Sequence, residues 1–133
     1  MQTKAILGQR EVDAILNAAQ NEADANGWAV TISVADDGGH LLGLRRLDNA
    51  PPFTAIVSAE KAYAAALGRR ETRLFEQMIN NGRNAFLSAS LPGLLEGGVP
   101  IIVDGQVIGA VGVSGVKAGE DAQVARAGIT AVA

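Results

Sequence analysis

The single histidine of the chain, His40, follows Gly38 and Gly39, with Asp36 and Asp37 just ahead of them. An imidazole placed after two glycines at the start of a strand is accessible and titrates near about pH 6.5 when unperturbed. It suits general acid/base work or axial ligation of haem iron. The plain alternative is a strand-end histidine at the surface or in a subunit contact. With one histidine and no cysteine, a His-rich or thiolate metal site within one chain is excluded.

Glu60 and Lys61 form the second candidate group. On a helix running from Phe53 to Leu67, Glu60 stands at i+4 and i+3 from Ile56 and Val57 and at i−3 and i−4 from Tyr63 and Ala64, in the middle of an apolar stripe. Lys61 flanks it. Neighbours on a helix do not face one another, so each charge needs another partner or an opening to water. A cavity between this helix and a sheet would supply it, and so would a structural ion pair or a subunit contact.

Arg45 and Arg46 are consecutive on a strand and point to opposite faces. By alternation Arg46 shares the parity of His40 and is the one expected to serve the same site, the alternative being an Arg–Asp brace across the hairpin. The loop from Gly112 to Gly119, with Ser114 and Gly115, precedes a helix start as phosphate loops do. It lacks the Gly-Lys-Ser/Thr of a P-loop and the G-x-G-x-x-G spacing of a dinucleotide site. Glu120 and Asp121 already put negative charge at that helix start, so the loop reads as structural first. Ser114 has no second histidine or motif that would make it a nucleophile.

These residues need elements to hold them. Val99 to Val103 and Gln106 to Val113 are β-branched runs separated by Asp104-Gly105, the pair that a two-residue hairpin turn with two positive φ angles favours. A helix follows, with Val124, Ala127 and Ile129 at helical spacing. Nearer the start, Val12, Ile15, Leu16, Ala19 and Ala23 mark an amphipathic helix from Gln9 to about Asn26, stopped by Gly27. Trp28 to Asp36 alternates, with Val30, Ile32 and Val34 on one face and Ala29, Thr31, Ser33 and Ala35 on the other. The small-residue face admits something close. Asp37-Gly38-Gly39 turns the chain into a second strand, His40 to Asp48, and Pro51-Pro52 breaks it. Phe53, Ile56, Val57, Tyr63, Ala64 and Leu67 form the next stripe. A shorter helix carries Leu74, Phe75, Met78 and Ile79, and residues 83 to 96 read as loop with a helical turn around Leu91 to Leu95.

The order is helix, hairpin, two helices, hairpin, helix. Two hairpins predict a mainly antiparallel sheet of four to five strands, the fifth near Ile6, in an α+β layered domain. At 133 residues the expectation is one domain over residues 1–133. Net charge is −3 with signs interspersed, which advertises neither nucleic acid nor a membrane surface. No apolar run is long enough to span a bilayer and no signal-peptide pattern opens the chain, so a cytoplasmic protein is expected. The 24 Ala and 16 Gly, against five aromatics, bury little area each. A homo-oligomer is expected to supply the rest.

Four strings in order, VADDGGHLLGLRRLDNA (34–50), SAEKAYAAA (58–66), GGVPIIVDGQVIGAVGVSG (97–115) and EDAQVARAG (120–128), resemble the GlcG/HbpS family, the haem-degrading domain. They are similar too to the C-terminal domain of propanediol-utilisation corrinoid adenosyltransferases. The resemblance implies a profilin-like α+β fold and assembly into dimers, tetramers or octamers. It also implies a small-ligand-binding protein, with haem or another tetrapyrrole as the expected ligand and cofactor. The residues carried over are Asp36, Gly38, Gly39 and His40, the Glu60-Lys61 pair, and Gly112 to Gly115. His40, Glu60 and Lys61 are the catalytic candidates, Asp36, Gly39, Arg46, Ser114 and Gly115 the ligand-binding ones, and His40 is the metal ligand if haem is bound. The alternative is a small enzyme of isomerase, lyase or hydrolase type acting on an organic acid or carbonyl compound.

Overall fold

The structure, a computed structural model, describes residues 1–133. Its elements are α1 (Gln9–Asn26), β1 (Thr31–Asp36), β2 (Leu41–Arg46), α2 (Phe53–Gly68), α3 (Thr72–Asn80), a 3-10 turn (Asn84–Ser88), β3 (Gly98–Val103), β4 (Gln106–Ser114) and α4 (Ala118–Ile129). The four strands form one antiparallel sheet in the order β2-β1-β4-β3. This is the expected α+β layered arrangement. The stretch around Ile6 is not a strand, so the sheet has four and not five. The helical turn expected around Leu91 to Leu95 lies instead at Asn84–Ser88, where Phe86 stacks on Phe75 at 5.3 Å between ring centroids.

The two faces of the sheet are built differently. Val30, Ile32 and Val34 of the first hairpin and Ile101, Val111 and Val113 of the second point to one side and are fully buried. There they meet Ile15, Leu16 and Ala19 of α1 and Val124 and Ala125 of α4. Each such valine or isoleucine contributes about 1.5–3 kcal/mol on burial. The other side is paved with Thr31, Ser33, Ala35, Ala110 and Gly112, and α2 lies directly on it. Thr31 hydrogen-bonds Thr54 at 2.8 Å and Ser33 hydrogen-bonds Ser58 at 2.8 Å, so the buried hydroxyls satisfy one another.

That close approach turns the helix over. Its buried face is Thr54, Ser58, Lys61, Ala62 and Ala65, whereas Phe53 and Ile56 are 59% and 65% exposed and Leu67 is exposed too. Of the stripe read from the sequence, Phe53, Ile56 and Leu67 therefore face outward, Val57 and Tyr63 are half-buried, and Ala64 is buried with Ala66. Small side chains win the sheet because a Cβ on Gly112 would stand 2.1 Å from the Ser58 carbonyl oxygen and 2.5 Å from the Ala62 nitrogen. Gly112→Ala is expected to cost about 1–3 kcal/mol, since backbone on both sides must move. Urea denaturation checks it.

Candidate functional site

The first hairpin is organised by one carboxylate. Asp36, the last residue of β1, accepts the backbone N–H groups of Gly38 and His40, both at 2.9 Å, through Oδ1. It also faces Nδ1 of His40 at 3.1 and 3.2 Å from its two oxygens. An Asp can hold a turn this way because its short side chain reaches the backbone two residues on. The imidazole is otherwise free, its side chain 82% exposed. Nδ1 faces Asp36, and Nε2 has no protein partner. On the neighbouring residue, Lys4 pairs with the Asp37 carboxylate and holds it below the usual carboxylate range, and Arg69 donates to the Asp37 carbonyl. The tip is thus tied to the end of α2.

Gly39, with φ +83°, rests on α2 so closely that a Cβ would meet Leu67 at 2.5 Å and Tyr63 at 2.6 Å. A substitution there is both strained and crowded. Beside this contact opens a cleft of about 330 Å³ between the hairpin and the helix. Its walls are Ala35, Gly39 and Leu41 on the strand side and Ala59, Glu60 and Tyr63 on the helix side, with Pro92 at one edge. It is mostly apolar, and Glu60 and Tyr63 bring its two ionisable groups. Spacing places Tyr63 in the apolar stripe, and its position at i+3 from Glu60 is the signal in the sequence that the two share a wall.

Lys61 is elsewhere. Its side chain is 5% exposed, and Nζ donates to the Val113 carbonyl at 2.9 Å and to Asp121 Oδ2 at 3.1 Å. Asp121 in turn accepts the Val116 N–H at 3.1 Å, just ahead of α4. Burial raises the Asp121 carboxyl above the usual range, with the Lys61 charge pulling the other way. The two neighbours therefore part: Glu60 borders the open cleft and Lys61 closes a buried ion pair that joins α2, β4 and α4. The enzyme reading needed His40 and Lys61 in one site, and the structure does not bring them together.

Nor does it bring Arg46 to His40. The pairing slips at Val34/Ala35, so that Leu41 faces Ala35 and Gly43 faces Val34 with Leu42 as the extra residue. A bulge reverses the parity of everything beyond it. Arg46 pairs across from Thr31 at the far end of β2, roughly 17 Å along the strand from its start. There its Nε donates to the Ala50 carbonyl at 3.0 Å. Arg45 faces the other side, on Asn17 and Gln20 of α1. Ser114 is buried at the end of β4, and Gly115 adopts φ +146° against Ala29 and Val30. Neither lines the cleft.

Comparison with known proteins matches residues 7–130 to the family described as haem degrading protein HbpS-like. The chain belongs to the HbpS-like family. Within it, Protein GlcG of Escherichia coli K12 is 60% identical over 114 residues, 86% of this chain and 85% of that protein. The crystal structure of Klebsiella pneumoniae protein ORFY superposes with a TM-score of 0.90 at 27% identity, covering 98% of this chain and 93% of that one. A PduOC:haem complex superposes with a TM-score of 0.87 at 23% identity, covering 96% of each chain, which shows a shared fold. The antiparallel α+β architecture described above is therefore that of solved HbpS-like proteins.

Proposed function

We propose that this chain binds haem or a closely related tetrapyrrole at the first hairpin, with His40, which stands at the hairpin tip beside the cleft and not in its wall, as the axial ligand. The observation that carries the reading is the Asp36–His40 pair. A ligating histidine ordinarily donates its second ring N–H to a carboxylate, which fixes the tautomer and strengthens the ligand, and Asp36 stands where that partner is needed. Haem brings four nitrogens of its own and asks a protein for one or two axial donors and an apolar wall. Leu41, Ala35, Ala59 and Tyr63 offer such a wall next to the Gly38-Gly39 turn. No group of three or more His, Cys, Asp or Glu side chains gathers around a point that could hold a bare ion. Haem asks for less. The family description and the haem complex of a structural neighbour support the same ligand.

When bound, haem would supply iron-centred redox or sensing chemistry; the chain's own part is to ligate, orient and half-cover it. Titration of the purified protein with haemin tests the reading directly. A saturable Soret band at one haemin per chain, or one per pair of chains, is expected. A spectrum indistinguishable from free haemin removes the proposal. Asp36→Asn keeps an oxygen for the two backbone N–H groups but weakens the charge behind the imidazole. It is expected to lower haemin affinity about tenfold, measured in the same titration.

A further inference from the structure

The far end of the first hairpin holds a second cavity, which the haem reading does not use. It measures about 440 Å³ and lies where α1 ends and β2 runs out, roughly 17 Å along the strand from the His40 tip. Its walls carry Arg45 and Arg46 against Asp24 and Asp48, so the cavity is balanced in charge while its charges stand apart. None of the four is in an ion pair within the chain.

The separation has a structural cause. Arg45 Nη1 donates to Asn17 Oδ1 at 2.9 Å and to Gln20 Oε1 at 3.0 Å, which pins the guanidinium against α1 and leaves the edge formed by Nε and Nη2 without a partner. Asp24 is one turn beyond Gln20, about 6 Å of helix rise. Arg46 belongs to the other face of the strand, its Nε engaged by the Ala50 carbonyl. Arg45 and Asp24 are therefore held near each other and kept from pairing.

Each half of this arrangement asks for a different group. The uncommitted edge of Arg45 is the fork that grips a carboxylate through two parallel hydrogen bonds. Asp24 sits in the last turn of α1, where there is no basic residue, and its carboxylate adds to the negative end of the helix dipole instead of offsetting it. That placement disfavours the isolated helix and favours a bound cation. A ligand with two anionic groups would be repelled by Asp24 and Asp48, and a purely cationic one by Arg45. A ligand with one charge of each sign, a short span apart, satisfies both. Trp28 lines the same cavity while packing partly against the main core, and it offers apolar surface to the rest of such a molecule.

We propose that this cavity binds a small amino acid as its zwitterion, with the carboxylate on the Arg45 fork, the ammonium between Asp24 and Asp48 at the carbonyl end of α1, and the side chain against Trp28. The site shares no lining residue with the cleft beside His40, so it stands or falls apart from the haem reading.

Trp28 is the only tryptophan of the chain, and its fluorescence reports occupancy of this cavity alone. In a screen of the standard amino acids against the full chain, at least one is expected to give a saturable change with a Kd of about 1 mM or tighter. The counterparts of the best of them that lack the ammonium or the carboxylate, isocaproate and isoamylamine in the case of leucine, should each bind at least about tenfold more weakly. Arg45→Gln and Asp24→Asn should each lower the affinity by at least about tenfold with the far-ultraviolet circular dichroism unchanged. The Asp24 side chain is exposed and makes no contact that the fold needs, so Asp24→Asn stays informative if Arg45→Gln disturbs α1. Calorimetry repeats the titrations without relying on the indole. No saturable binding of any standard amino acid at about 10 mM overturns the site. A deaminated acid that binds as tightly as its amino acid overturns the zwitterion, and an Asp24→Asn or Arg45→Gln protein of wild-type affinity overturns the assignment to this cavity.

Discussion

His40→Ala abolishes the Soret band that haemin produces with the wild type, or returns it to that of free haemin, while the far-ultraviolet circular dichroism stays unchanged. The expectation follows from what the imidazole touches. Its only protein partner is Asp36, and Asp36 keeps its two backbone N–H bonds, at Gly38 and at residue 40 itself, after the side chain is cut back. Truncating a side chain that is 82% exposed typically moves stability by no more than about 0.5 kcal/mol. Loss of the spectrum without loss of the fold therefore isolates ligation. Free imidazole added to the variant should restore a ligated spectrum, because the cleft walls remain. An unchanged band in His40→Ala would move the axial ligand to an oxygen, with the Tyr63 phenol and the Glu60 carboxylate as the donors already in the cleft.

How far the sequence discloses this site depends on which force placed each residue. The two hairpins are legible because local rules act alone there: Asp104 and Gly105 adopt φ +52° and +74°, as their turn requires, and the valines and isoleucines of β1 alternate into the core. Periodicity misleads on α2 because a hydrophobic stripe says only that a face is apolar and not what covers it. The small-residue face beats the large one at the sheet because Thr31, Ser33 and Gly112 leave no depth for a phenylalanine. The bulge at Leu42 has no signature in residue type, so the parity argument for Arg46 fails from that point on. The partner of Lys61 is sixty positions away, on an element whose packing is decided by the whole sheet. Spacing along one helix reveals that Lys61 needs a partner; it does not reveal Asp121.

The Lys61–Asp121 pair carries the largest stability effect expected in the molecule. Lys61→Met keeps the length and the apolar stem but strands a carboxylate that is 4% exposed, and breaking one side of a buried pair costs about 3–5 kcal/mol. Asp121→Asn in the same chain should recover most of that, since the amide keeps an oxygen for the Val116 N–H and no charge is left unpaired. The pH dependence gives the mechanism its sign. Burial is the leading cause that raises the Asp121 pKa, and the Lys61 charge is the leading cause that opposes it. A carboxyl whose folded-state pKa is raised contributes stability that is fully present below its unfolded value and is lost as pH rises through the folded one. Removing Lys61 pushes the pKa further up, so the Lys61→Met defect should be greatest where Asp121 is ionised and should shrink as the solution is acidified through the raised pKa. Urea denaturation of wild type, Lys61→Met and the double variant at about pH 8 and about pH 5 measures this. A defect of equal size at both pH values would mean that lost packing, and not the stranded charge, is the cause; a defect near zero would mean that the pair does not hold α4 to α2.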